Sequence, residues 1–235
     1  MYLVKAEKVD KVVNTLKSFP IPRKWPISVV SGIFVITVFW SCTIISIIFF
    51  PTTYNPLINW VSDLGSYSKN PKGSVFFNMG CIISGIAMFP FFGGLYEWWI
   101  GGRKNKILTM LTQAAGFYTA LAMIMIGIFP DDYLEIHIFW SMSLFTISVL
   151  TFFLPSYALY KFKFTRNLAI FGFIATIINL ILWFCIIPLM EWITIIVCFL
   201  FIGMIITSMQ HRIERLRFVR EQKVVIPSRR KKKRK

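Results

Sequence analysis

The chain is poor in charge, and in acid above all. Only 15% of its 235 residues are Asp, Glu, Lys or Arg, and only ten are acidic. Soluble domains carry about 25% charged residues, so there is too little charge here to coat a water-facing surface. Cysteine occurs four times and histidine twice. Cys42, Cys81, Cys185 and Cys198 lie in apolar stretches without a CxxC pair. That pattern excludes a disulfide framework or a thiolate metal site and leaves them as small packing residues. His137 and His211 fall at opposite ends of expected spans, so a two-histidine zinc centre is excluded as well. No glycine-rich phosphate loop and no GxSxG motif is present, and Gly101-Gly102-Arg103 reads as a short turn. Residues 1–25 hold no apolar core of the kind a signal peptide needs, and none is expected.

What is present is grease. The chain is 56% hydrophobic, contains 24 Phe and has a mean hydropathy of +0.66. A membrane-spanning helix needs about 20 mainly apolar residues. Six runs qualify: Pro26–Phe50, Val75–Trp98, Ile107–Phe129, Ile136–Tyr160, Leu168–Ile187 and Trp192–Met209. The connections between them are short enough to force antiparallel neighbours. The expected fold is therefore an all-α integral membrane protein, a six-transmembrane-helix bundle. Three parts follow: a basic segment over residues 1–25, the helical domain over 26–210, and a polybasic tail over 211–235.

None of the six runs has an ionisable residue near its middle. Proton relays, voltage sensors and ion pathways usually need one, which places a transporter last among the possibilities. The polar residues within the runs are neutral: Asn78, Ser84, Thr109, Thr112, Gln113, Thr119, Ser141, Ser143 and Asn179. They are expected to make interhelical or same-helix hydrogen bonds. Pro90 and Pro155 are expected to kink their helices.

The cations give a direction. Of 26 Lys and Arg, only Lys69 and Lys72 fall on one side of this arrangement. The positive-inside bias then makes both termini cytoplasmic. Val9, Val12, Val13 and Leu16 form an apolar helical stripe among Lys5, Lys8, Lys11 and Lys17, which predicts an interfacial basic helix. The tail Arg229, Arg230, Lys231, Lys232, Lys233, Arg234 and Lys235 is expected to contact anionic lipid headgroups. Specific nucleic-acid binding is not expected of a polytopic chain.

Two non-cytoplasmic stretches carry the remaining chemistry. In "YNPLINWVSDLGSYSKNPKGSVFFN", Ser62 can cap a helical turn, Gly65 can supply a positive-φ turn, and Asp63, Asn55 and Asn78 can bind a polar ligand or satisfy the loop itself. In "FPDDYLEIH", Asp131 or Asp132 can cap the next helix, and His137 sits just inside it. The candidate ligand-binding set is Asn55, Ser62, Asp63, Asn78, Asp131, Asp132 and His137. No metal and no cofactor is expected.

These residues also carry a resemblance. Asn55-Pro56, Ser62-Asp63-Leu64-Gly65, Phe77-Asn78 with Gly80 and Gly85, and Gly127 with Phe129-Pro130, Asp131 or Asp132 and His137 resemble the pattern of the domain-of-unknown-function 998 family over roughly residues 29–209. A looser similarity runs to DRAM/Frag/Sfk-type membrane proteins. The resemblance implies a six-span bundle and transfers no activity. Two functions stay open. One is a non-enzymatic plasma-membrane protein that recognises a lipid headgroup or small polar ligand at its non-cytoplasmic face. The other is a lipid hydrolase or transferase using Ser62, Asp63, Asp131, Asp132 and His137.

Overall fold

The computed structural model describes residues 25–98, 102–182 and 184–225. The basic N-terminal helix and the Arg229–Lys235 tail expected from the sequence lie outside them. Within the described residues the chain is helical without a strand. The helices are α1 (Ile27–Ile48), α2 (Ser74–Gly93), α3 (Arg103–Ile128), α4 (Leu134–Leu159), α5 (Arg166–Leu182) and α6 (Pro188–Val225). Short 3-10 turns at Ser62–Gly65, Gly94–Trp98 and Asp131–Tyr133 link them.

A helix satisfies its own backbone polar groups, the condition hydrocarbon imposes on any spanning segment. Five helices are long and apolar enough to cross a membrane, while α5, at 17 residues, is shorter. Large side chains such as Ile33, Phe34, Ile86, Ile177 and Leu200 face outward on several helices. An apolar exterior on this scale suits lipid rather than water.

Consecutive helices from α1 to α5 pack on one another. α6 closes the core, where Phe201, Ile205 and Met209 join Val35, Phe91 and Phe152. Pro26–Met209 makes up one compact unit. From Gln210 onward α6 belongs to another, in which His211 Nδ1 lies 3.6 Å from Glu214 Oε2.

Several sequence expectations are met and others are corrected. Thr109, Thr112 and Thr119 bond carbonyls of their own helix, and Gln113 Nε2 donates across to the Gly93 carbonyl at 2.8 Å. Ser148 Oγ donates to Asn179 Oδ1 at 2.8 Å, tying α4 to α5. The α5–α6 boundary differs from the expected one. α5 ends at Leu182 and α6 begins at Pro188, because proline suits a first helical position and drives its predecessor out of helical geometry. Gly65 does not have a positive φ. A Cβ there would collide with Asn78 Oδ1 and come within 2.9 Å of the Phe77 ring, so glycine permits close approach to α2. Neither Ser62 nor Asp131 or Asp132 caps its helical turn through a side chain.

Candidate functional site

The Asp63 end of the bundle is closed by a folded cap. The Tyr54 hydroxyl donates to the Trp60 carbonyl at 2.8 Å and accepts the Trp192 indole N–H at 3.0 Å. Asn55 Oδ1 accepts the Leu57 N–H, and Asn59 Oδ1 accepts the Asn55 N–H, each at 3.0 Å. These are the local side-chain bonds that make Asn favourable in turns. The Asn70 amide nitrogen reaches the Leu64 carbonyl at 3.0 Å and Ser46 Oγ at 2.9 Å, while its oxygen accepts the Gly73 N–H at 3.1 Å. Asn70 thereby joins the loop to both the end of α1 and the start of α2. Asn78 Nδ2 donates to the Gly65 carbonyl at 2.9 Å.

The carboxylates are taken up by this cap. Asp63 is buried; Oδ2 accepts the Trp60 N–H at 2.9 Å and Oδ1 takes the Lys69 ammonium at 2.7 Å. The same ammonium reaches Asp131 Oδ2 at 2.6 Å. Asp132 accepts the Tyr67 N–H at 2.7 Å, with the Ser68 N–H and the Ser66 hydroxyl each at 3.1 Å. Burial works against the Lys69 ammonium, yet the hydrogen bonds and charges of Asp131 and Asp63 outweigh it and hold its pKa above the ordinary lysine value. Burial pushes the Tyr54 hydroxyl up as well, which keeps it a donor.

The structure thus brings Asp63 and Asp131 to one ammonium and leaves Asp132 on the Ser66–Ser68 turn. His137 lies apart from all three. Its Nδ1 bonds the Phe129 carbonyl at 2.8 Å, so Nδ1 carries the proton of the neutral ring and Nε2 is left as an acceptor. Among the described residues, no three His, Cys, Asp or Glu side chains are grouped to hold a metal ion.

Beneath the cap lies an internal cavity of about 120 Å³. His137, Ser141, Leu144, Ser148, Thr151 and Pro155 line it from α4; Glu191, Ile195, Cys198, Ile202 and Ile205 line it from α6. Spaced three or four residues apart, each set forms one helix face. Glu191 and Ile205 are about 21 Å apart along α6 at roughly 1.5 Å per residue, so the cavity is a long slot.

Along its length most hydroxyls are taken up by the helices themselves, Ser84 excepted. The hydroxyls of Thr112, Thr119, Ser148 and Thr151 turn back to carbonyls of their own helices. At its Asp63 end the slot is lined by Ser62, His137 and Glu191. Glu191 Oε2 accepts the Val61 N–H at 2.8 Å, and the Ser62 N–H is also directed at this carboxyl group. Sequence reasoning did not single out Glu191, Lys69, Tyr54 or Asn70. The signal for Glu191 was available, since it heads the stripe that runs through Ile195, Cys198, Ile202 and Ile205.

The family model for proteins of unknown function, DUF998, matches residues 33–211. The chain belongs to that family. The match contains the cap, the whole slot and His137, so both features sit inside the DUF998 domain. No curated protein and no solved structure matches the chain.

Proposed function

We propose that this DUF998 protein is a six-span protein of the plasma membrane, with both termini cytoplasmic, that holds a membrane-derived amphiphile at its Asp63 end. One observation carries the reading: an apolar slot lined at one end by the polar side chains of Ser62, His137 and Glu191. Ligand pockets are typically apolar with a few convergent polar groups, and an amphiphile is the molecule that matches such a gradient. Asp63, Asp132 and Asn78, each bonded to the protein itself, act as the lid that shapes the opening. His137 and Ser62 then contact the ligand.

Two further features support the membrane assignment. α5, at 17 residues, stands at the lower limit of spanning length of about 17. The excess of cations at the opposite end favours an Asp63 end that faces away from the cytoplasm, with the polybasic tail on anionic lipid.

Native mass spectrometry of the detergent-extracted chain tests the reading. A co-purifying lipid is expected in the wild type. Absence of any bound amphiphile, even after incubation with a lipid extract, would reject it. For orientation, a Ser68→Cys probe in a Cys185→Ser background is expected to label from outside intact cells. Labelling only after permeabilisation would invert the topology.

A lipid hydrolase or transferase is the second reading, because Ser62 and His137 face the same slot. Against it, His137 directs Nδ1 to a carbonyl, and no Ser62–His137 hydrogen bond occurs in the structure. Hydrolysis of a long-chain ester by the purified protein, abolished in Ser62→Ala, would favour it.

A further inference from the structure

The slot's polar end sets a carboxyl group and an imidazole acceptor beside the hydroxyls of Ser62 and Ser141. Of the groups there, the Glu191 carboxyl group lines the slot, with Oε2 accepting the Val61 N–H and the Ser62 N–H directed at it as well. His137 Nε2 is the acceptor nitrogen of a ring whose other nitrogen is fixed by the Phe129 carbonyl. The cap above adds three acids, Asp63 and Asp131 on the Lys69 ammonium and Asp132 on the Ser66–Ser68 turn. Deeper in, Ser84 lines the slot with a buried hydroxyl that has no partner. A head that donates hydrogen bonds satisfies the Glu191 carboxylate and His137 Nε2. A negatively charged head does not, because a second anion beside an ionised Glu191 at low dielectric is strongly repelled.

The body of the slot constrains the tail. A volume of about 120 Å³ drawn out along α4 and α6 makes a narrow channel. Small-molecule pockets for bulkier ligands run to about 300–1,000 Å³. A small volume spread over that length suits one unbranched alkyl chain better than a fused ring system. Chain methylenes would lie against Phe145, Phe152, Ile195, Phe199 and Ile202, each buried methylene contributing about 0.8 kcal/mol of transfer free energy.

We infer that the slot binds single-chain amphiphiles with a non-anionic, hydrogen-bond-donating head, a hydroxyl or an ammonium, read by Glu191 and His137. This rests on the amphiphile reading above and names the class of molecule it takes.

The test uses three probes with the same chain: 1-hexadecanol, hexadecylamine and hexadecanoate. Each is titrated at pH 8 into the full-length detergent-extracted protein, with binding read by native mass spectrometry. The alcohol and the amine are expected to bind one to one, with hexadecanoate at least tenfold weaker. Hexadecanoate binding as tightly as the other two would overturn the headgroup inference while leaving the amphiphile reading intact. If none of the three binds, the single-chain inference falls, and the amphiphile reading falls with it only if the lipid-extract incubation also yields no bound amphiphile.

Two variants locate the site. Ser141 makes no hydrogen bond in the structure and faces the slot one turn below His137, so Ser141→Phe should fill the throat without disturbing a bond. It is expected to weaken alcohol and amine binding at least tenfold, and undiminished binding would overturn the placement. Glu191→Gln keeps an oxygen for the Val61 N–H but adds a donor. It is expected to narrow the gap between hexadecanoate and hexadecanol at least threefold, and an unchanged gap would remove Glu191 from head recognition.

Discussion

The cap and the slot divide the polar chemistry of this protein in opposite ways. The cap looks like a ligand site in sequence, with Asn, Ser and Asp crowded into one loop. Folded, almost every one of those groups bonds another part of the cap: Asp63 and Asp131 share Lys69, Asp132 holds three donors, and Asn70 bridges three segments. The slot looks like plain packing in sequence, yet it keeps a buried hydroxyl, that of Ser84, that nothing in the protein fills. Polar density in a membrane protein's loop therefore reports how the loop closes on itself. A few polar atoms left unbonded in an apolar wall report where something else can bind.

If that contrast holds, removing a polar group from the cap must be costly and removing one from the slot must not. The largest effect is expected for Asn70→Ala. Asn70 is fully buried, and its loss strands the Gly73 N–H and the Ser46 carbonyl, while the Leu64 carbonyl keeps the Ser46 hydroxyl. Each stranded buried group costs about 1–3 kcal/mol, so a destabilisation of about 3 kcal/mol is expected, read as a lowered melting midpoint in detergent. A loss under about 1 kcal/mol would mean that the cap does not depend on this bridge. Asp63→Ala comes next, at about 2 kcal/mol. It frees the Trp60 N–H but leaves Lys69 its second partner, Asp131. Amide exchange at Trp60 should rise in step; unchanged protection there would contradict the assigned bond.

The helices were legible in sequence because each is an apolar run of spanning length, and their ends moved by only a few residues in most cases. The α5–α6 boundary was not, because Phe184–Ile187 is as apolar as the helix before it and only Pro188 marks the break. At the site, sequence placed Asp63, Asp131, Asp132 and His137 at one end of the bundle. It did not show that Lys69 joins two of them, since a flexible cation gives no periodic signal. Nor did it show that His137 turns away, because that depends on the Phe129 carbonyl that ends α3. Glu191 read as an acid at a helix boundary; its role depends on how closely α6 packs under a turn 130 residues earlier in the chain.

A smaller effect sharpens the cap side of the comparison. Lys69 is half exposed, so its two ion pairs are partly screened. Lys69→Met is expected to cost about 1 kcal/mol or less, as exposed pairs do, and the cost should shrink with added salt. The pH dependence has a definite sign. Because folding raises the lysine pKa, its contribution is complete below the unfolded value of about 10.4 and is lost as pH rises through the higher folded value. The melting-midpoint gap between wild type and Lys69→Met should therefore stay level from pH 7 to 9 and close only above about pH 10. A gap that closes near neutrality would show that another group governs the cap.

The smallest effect tests the other side, and its sign matters more than its size. Ser84 lines the slot, is fully buried and has a hydroxyl without a partner. Serines inside helices usually return their hydroxyl to a carbonyl one turn back, as Ser156 does to Phe152 at 2.7 Å. Ser84 does not, so its hydroxyl adds a desolvation cost in the empty protein without a compensating bond. Ser84→Ala should then be neutral or stabilising by up to about 1 kcal/mol, the reverse of every cap substitution. The hydroxyl's use would appear only with an occupant. If the stabilisation vanishes or reverses when 1-hexadecanol is bound, Ser84 faces the bound chain or its head. If Ser84→Ala destabilises the empty protein by more than about 1 kcal/mol, the hydroxyl is bonded within the protein. The slot would then be as self-satisfied as the cap, and the distinction between the two regions would fail.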